Sequence, residues 1–133
     1  MVNTFLLNFG HPLTPKVIAQ LSPVTEIKAA FQLDLDKEPT PPQVRAAADR
    51  AAALLRDKGG ALDGSVPVVV ALHGLTEATA LILAELHGRL GAFPRVLALR
   101  RQPDGTYGLA EQPGMFGGVL DLEKVRNAAR ERR

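Results

Sequence analysis

The chain has 133 residues, of which 46% are hydrophobic and 23% are charged, so one folded domain with a buried core is expected rather than a disordered segment. It contains no Cys, which excludes disulfides, thiol nucleophiles and thiolate metal ligands. The formal net charge of +2, with a pI of about 9.3, is too mild to indicate general binding of DNA or RNA, but it is compatible with a small anionic ligand.

Nothing in the sequence suggests secretion or insertion into a membrane. The first residues lack the basic start and the long apolar run of a signal peptide. No apolar run approaches the ~20 residues that a membrane span needs. The expectation is therefore a cytoplasmic protein without membrane partners.

The first half of the chain alternates between strand and helix patterns. Alternation of apolar and polar side chains from residue 26 to residue 35 predicts an edge strand. Pro15 suits an early helical position, and the pair Gly59-Gly60 suits a helix end. The predicted elements are a buried strand at 4–9, a helix at 14–22, the edge strand at 26–35 and an Ala-rich helix from about 43 to 58.

The second half continues the alternation and ends in a hairpin and a helix. The run at 66–72 is continuously apolar and β-branched, which is typical of a central parallel strand covered on both faces. Asp104-Gly105 lies between two extended runs, which is a good hairpin signal. The further predicted elements are a helix at 76–90, a strand at 95–100, an antiparallel edge strand at 106–111, a flexible connector at 113–118 and a final helix capped by Asp121.

The helix predicted at 76–90 carries apolar residues on more than one face. Contact with a sheet needs only a stripe of roughly 100°. The additional apolar surface predicts burial against a neighbouring helix or against a second copy of the chain. The second interpretation predicts a homodimer or a larger self-assembly through this helix.

The order β-α-β-α-β-α-β-β-α predicts an α/β fold. We expect a small Rossmann-like, mostly parallel sheet with helices on both faces and a C-terminal antiparallel hairpin. Right-handed crossovers place the first and third strands side by side. The residues that follow these two strands then lie at one crevice.

That crevice is the predicted ligand site, because ligands of open α/β sheets bind where strands end and helices begin. Glycines let the backbone approach a ligand, a helix start offers N–H groups to an anion, His donates or exchanges protons, and Arg pairs with phosphate. Glu77 in the first turn of the next helix opposes an anion there, which favours phosphates nearer His11 or Arg100. The predicted binding residues are Asn8, Gly10, His11, Pro12, His73, Gly74, Leu75, Thr76 and Arg100, with Arg101 beside the last of these.

Each of these residues also has a purely structural interpretation. A His after a strand often caps a turn, and His87 near a helix end suits a packing or capping role. Three His without close spacing and no Cys do not favour a metal site, so no metal is expected, and no cofactor is expected either. The chain has no Gly-x-Gly-x-x-Gly after its first strand, no Walker-type loop and no Ser on a nucleophile elbow.

Three stretches of the chain resemble a known family. The segment Leu6-Leu-Asn-Phe-Gly-His-Pro-Leu-Thr-Pro15 looks like the opening of small CRISPR-associated proteins of the Csx type. The segment Leu83-Ala-Glu-Leu-His-Gly-Arg-Leu-Gly-Ala-Phe-Pro94 and the ending Asp121-Leu-Glu-Lys-Val-Arg-Asn-Ala-Ala-Arg130 are similar to that group too. Residues 36–66 carry no resemblance, and no catalytic position is carried over.

The resemblance implies a setting in type III CRISPR defence, which signals through cyclic oligoadenylates. It implies a single Rossmann-like domain of the CARF kind over residues 1–133 that binds cyclic tetra-adenylate across a two-fold dimer. Capture of the ring is the first expectation. A metal-independent ring nuclease, in which the ribose 2′-hydroxyl attacks and His11 or His73 moves a proton, is the second. A protein-interaction module that uses the apolar helix is the third.

Overall fold

The computed structural model describes residues 3–113, 115 and 117–133, and it has the expected α/β fold. The helices and strands follow one another in an alternating order until the C-terminal third of the chain. In the described residues they are β1 (Asn3–Asn8), α1 (Pro15–Gln20), β2 (Glu26–Gln32), α2 (Pro41–Asp57), β3 (Val68–Ala71), α3 (Thr76–Leu90), β4 (Arg95–Leu97), β5 (Leu99–Arg101), β6 (Tyr107–Leu109), β7 (Val119–Asp121) and α4 (Leu122–Glu131).

The main sheet has the strand order β2-β1-β3-β4-β7. Strand β1 pairs in parallel with both β2 and β3, so the predicted adjacency of the first and third strands is confirmed. The predicted edge position of β2 is also confirmed. All four residues of β3 are buried, as expected of a central strand. The sheet is parallel from β2 to β4, and β7 closes its other edge in the antiparallel direction.

Two apolar layers cover the two faces of this sheet. Phe5 and Leu7 of β1 pack in a core that also contains Ala47 of α2 and Ile82 of α3. Leu6 of β1 packs in a second core on the opposite face, together with side chains next to α1 and from the β5-β6 hairpin. Alternate residues of β1 enter the two cores because successive strand side chains point to opposite faces. The prediction of helices on both faces is thus confirmed.

The surplus apolar surface of α3 lies largely inside the chain. Ala78, Ile82 and Leu86 are buried, and Leu81 and Leu83 are half-buried against the same core. Helix α2 lies beside α3, where Arg89 bonds Asp49 at 2.6 Å and Glu85 at 3.1 Å. Burial lowers the pKa of Arg89, but these two carboxylates outweigh it and raise that pKa overall. Self-assembly through α3 stays a prediction.

The predicted strand at 95–100 is wrong, because it is two strands in two sheets. The break lies at Ala98, whose N–H donates to the Gly118 carbonyl at 2.8 Å and whose carbonyl accepts from Ala110 N–H at 2.8 Å. These bonds take the chain out of the main sheet, and β5 then pairs only with β6 in an antiparallel hairpin. The predicted edge strand at 106–111 is the short β6 of that hairpin.

Strand β7 was not predicted from the sequence. It pairs with β4 over three residues and leads directly into α4, for which Asp121 is the N-cap, as expected. The predicted connector at 113–118 includes residues 114 and 116, which lie outside the described residues. Among the helices that the structure describes, none combines the length and the apolar character required to cross a bilayer.

Ile82→Ala is expected to destabilise the fold by about 2–5 kcal/mol, since Ile82 is 0% exposed and its loss leaves a cavity between α3 and the sheet. The measurement is the free energy of unfolding in urea. Ile82→Val is the graded control and is expected to cost about 0.5–1.5 kcal/mol. Equal stability of the alanine variant and the natural chain would contradict the described packing.

Candidate functional site

The side chain of Asn8 organises the turn that follows β1. It is 4% exposed, and its Oδ1 accepts from Gly10 N–H at 2.9 Å. Its Nδ2 donates to the His11 carbonyl at 2.8 Å and to Gln32 Oε1 at 3.0 Å. Gln32 Nε2 in turn donates to the Gly10 carbonyl at 2.8 Å. Both amide hydrogens of Asn8 are therefore used within the chain, so Asn8 shapes the loop at residues 10–12.

Gly10 allows the ends of β1 and β3 to meet. A Cβ atom built on Gly10 would lie 2.5 Å from the carbonyl oxygen of Leu72, which is closer than carbon and oxygen can approach. The glycine was predicted to let a ligand approach the backbone. In the structure, its N–H is bonded to Asn8 and its missing side chain makes room for Leu72.

The loop after β3 is fixed by the ring of His73. Its Nδ1 accepts from Leu75 N–H at 3.0 Å, so this nitrogen carries no proton. Its Nε2 must then donate to the Asp36 carbonyl at 3.0 Å. Thr79 Oγ1 also donates to the His73 carbonyl at 2.9 Å. His73 therefore ties the start of α3 to the segment that follows β2.

Two hollows lie on either side of the loop at residues 10–12, and that loop and Gly74 line both of them. The first hollow has a volume of about 290 Å³, and the second has a volume of about 520 Å³. Side chains that line the first hollow include Asn8, Ala71, Leu97, Leu99, Arg100 and Tyr107. Side chains that line the second hollow include Phe9, Asp34, Leu35, Lys37, His73 and Leu75.

The mouth of the first hollow carries two aromatic rings and a cation. The rings of His11 and Tyr107 are stacked, with centroids 6.1 Å apart and planes 18° from parallel. Both residues are exposed. Arg100 on β5 is exposed as well, and one of its guanidinium nitrogens donates to the Leu99 carbonyl at 2.9 Å. The hairpin thus brings a phenol ring and a guanidinium to the loop that follows β1.

The structure brings the predicted binding residues together, with one exception. Those that line one or both hollows are Asn8, Gly10, His11, Pro12, His73, Gly74, Leu75 and Arg100. Thr76 begins α3 and lines neither hollow, and neither does Arg101. The α3 N-cap is Leu75, which has no side-chain hydrogen bond, and Glu77 lies in the first turn as expected. His87 packs on Phe93 with ring centroids 4.4 Å apart, which agrees with the packing interpretation.

Sequence reasoning missed Tyr107, Asp34 and Lys37. Asp34 was placed in the predicted edge strand and Lys37 in no predicted element, but both line the second hollow. Their position in the chain could have identified them, because Asp34 and Lys37 follow the end of β2 as His11 follows the end of β1. Tyr107 had no such signal, because the pairing of the hairpin alone brings it to His11.

Metal chemistry receives no support from the described residues, which contain no group of three or more His, Asp or Glu side chains that could hold an ion. Comparisons with known proteins returned no matching family model, no matching curated protein and no matching solved structure.

Gly10→Ala and Gly74→Ala are expected to differ sharply in stability. The first substitution forces a methyl group against the Leu72 carbonyl and should cost about 1–3 kcal/mol. The second meets nothing within 4 Å and has no positive φ, so its stability should be unchanged or slightly higher. Urea unfolding of both variants is the measurement, and an equally stable Gly10→Ala variant would contradict the close contact of the two strand ends.

The contacts within the β5-β6 hairpin are expected to weaken at acidic pH. Hydrogen bonds from the hydroxyl group and the backbone N–H of Thr106 lower the pKa of Asp104 below its ordinary value. A carboxylate whose pKa is lowered in the folded state stabilises the fold while it is ionised. That stabilisation is lost as the pH falls through the folded-state pKa. We therefore expect hairpin contacts to be constant from neutral pH down to about pH 4 and to weaken below it.

Titration of the Asp104 carboxyl carbon by NMR tests this expectation. Thr106→Val should move the pKa of Asp104 back toward its ordinary value, since the hydroxyl donor is lost. Asp63 is the internal control, because Ser65 lowers its pKa in the same way in another loop, and it should not respond to the variant. An unchanged Asp104 pKa in the variant would refute the assignment.

Proposed function

We propose that this chain binds cyclic tetra-adenylate between subunits and limits type III CRISPR signalling by capturing it. The observation that supports this most directly is the position of the two hollows. Strand β2 lies on one side of β1 in the sheet, and β3 lies on the other side of β1, so the strand order reverses at β1. Such a switch point leaves a crevice at the carboxyl ends of the strands, where nucleotides bind in doubly wound folds.

The sizes of the hollows favour a ligand shared between copies of the chain. Small-molecule sites have volumes of about 300–1,000 Å³, so volumes of about 290 Å³ and 520 Å³ each suit one nucleotide unit. A ring of four nucleotides needs more than one chain presents. A two-fold pair of chains presents each hollow twice, which matches the symmetry of the ring.

The charges around the loop at residues 10–12 suit phosphate groups on one side. Arg100 lines the first hollow, where a guanidinium can hold a phosphate through two parallel hydrogen bonds. Lys37 lines the second hollow, but the carboxylate of Asp34 lines it as well. Glu77 adds a second negative charge two residues after Leu75, which also lines this hollow. We therefore assign the phosphates to the Arg100 side and none to the His73 side.

Capture is favoured over cleavage because the ring of His73, one of the two candidate histidines, is already hydrogen-bonded within the chain. Cleavage needs a group that moves a proton to or from the ribose or the leaving oxygen. Both ring nitrogens of His73 already bond the Leu75 N–H and the Asp36 carbonyl. Within the described residues, the ring of His11 makes no hydrogen bond and is exposed, so His11 alone supports the alternative of a metal-independent ring nuclease.

The interaction-module alternative has less support. In the described part of the chain, the large exposed hydrophobic side chains are Tyr107 and Val125, and neither is on α3. Ile82, on the helix assigned to that role, is in the core. A protein partner at α3 would therefore meet small or half-buried apolar groups.

The test is incubation of the purified protein with radiolabelled cyclic tetra-adenylate in the presence of a chelator, with native and denaturing gels run from the same tubes. We expect a shifted band with intact ligand, and native mass spectrometry should find two chains on one ring. Arg100→Gln should weaken binding roughly 10- to 100-fold, since a charge-assisted hydrogen bond contributes about 1.5–3 kcal/mol. Arg101→Gln is the matched control, because it removes the same charge from the adjacent position outside both hollows.

The other outcomes separate the alternatives. Linear products without metal would establish the ring nuclease, and His11→Ala should then abolish the products without abolishing the band shift. Neither shift nor cleavage, with cyclic hexa-adenylate tried as well, would refute the nucleotide proposal.

A further inference from the structure

The stacked pair of His11 and Tyr107 is an unusual use of the only tyrosine in the chain. Tyr107 is 41% exposed, and it projects from the hairpin strand β6 at the mouth of the first hollow. Its ring lies 18° from the plane of the His11 ring, which belongs to a different element. An exposed aromatic pair that contributes little to the core is an available stacking surface.

The hairpin holds Tyr107 firmly in this position. The Gln102 N–H donates to the Thr106 carbonyl at 2.6 Å, and the Asp104 carboxylate accepts from both the N–H and the hydroxyl group of Thr106. At its other end, the hairpin is joined to the main sheet through the backbone of Ala98. A ring fixed on such a support loses little conformational freedom when a ligand stacks on it.

A cation in the same hollow indicates the class of ligand. Arg100 lies on the neighbouring hairpin strand, opposite Gly108, and lines the hollow that Tyr107 also lines. An aromatic surface and a guanidinium in one hollow suit a planar base attached to a phosphate. The wall of the hollow also includes the apolar side chains of Leu97 and Leu99.

We propose that His11 and Tyr107 form the base-recognition surface of the first hollow and that they prefer a purine base. Every base has a π-face, and the larger purine ring gains more contact with two near-parallel rings than a pyrimidine does. The proposal deepens the proposed function and rests on it for the premise that the ligand is a nucleotide. It assigns the base to this hollow, with Arg100 holding the attached phosphate.

The sequence makes this proposal directly measurable. The chain has one Tyr and no Trp, so its tyrosine emission comes from Tyr107 alone. A base stacked on that ring should shorten its fluorescence lifetime, and lifetimes are insensitive to absorption by the nucleotide. The probes are cyclic tetra-adenylate, AMP, GMP, UMP and ribose 5-phosphate.

We expect AMP, GMP and cyclic tetra-adenylate to shorten the lifetime, UMP to act only at higher concentration and ribose 5-phosphate to have no effect. Tyr107→Leu should weaken the binding of cyclic tetra-adenylate, measured by calorimetry, roughly tenfold. Tyr107→Phe keeps the ring and should stay within about twofold of the natural chain. Circular dichroism of both variants controls for loss of the fold.

The outcomes distinguish this inference from the proposed function. Binding of cyclic tetra-adenylate that leaves the lifetime unchanged and is equally tight in Tyr107→Leu would overturn the inference and leave the proposed function intact. A lifetime response to AMP and GMP without binding of cyclic tetra-adenylate would support the inference and refute the proposed ligand. Neither a lifetime response nor calorimetric binding with any of the nucleotides would overturn both.

Discussion

The contact between the Gly10 backbone and the Leu72 carbonyl oxygen is the constraint on which the rest of the site depends. Strands β1 and β3 are neighbours, so the loops that leave them must separate within a few residues. Only a residue without a Cβ fits at position 10, where that atom would be 2.5 Å from the oxygen. The buried amide of Asn8 then bonds both Gly10 and His11 and directs the loop away from the sheet. The two hollows exist because this loop stands between them.

The broken strand after α3 provides the other half of the site. If residues 95–101 formed one continuous strand, Arg100 would lie in the main sheet and no hairpin would cover the first hollow. The two hydrogen bonds of the Ala98 backbone divide the strand and leave β7 to pair with β4. The hairpin then lies over the α1 side of the sheet, where its packing joins Leu99 and Leu109 to the second core. A local change in backbone pairing therefore determines which side chains reach the loop at residues 10–12.

The sequence predicted those parts of the fold that have a long repeating pattern. The apolar run of β3 and the pattern of α3 each identify an element, and right-handed crossovers then give the order of the central strands. Strands of three residues, such as β5 and β7, have too short a pattern to be recognised. The pairing of Ala98 with Gly118 and Ala110 joins distant parts of the chain, and no local rule contains it. Tyr107 was missed for the same reason.

Residue type indicated a candidate site at these strand ends, but the bonds within the chain decide what each side chain is able to do. Asn8 and His73 were expected to contact the ligand, and both already use their hydrogens to hold loops in place. Around the first hollow, the groups left to meet a ligand include the His11 and Tyr107 rings and the Arg100 guanidinium. Under the proposed function these groups hold the nucleotide itself, and binding that is equal in the ground state and the transition state lowers the dissociation constant without accelerating bond cleavage. A protein that captures its ligand in this way would lower the free ligand in proportion to the number of protein copies.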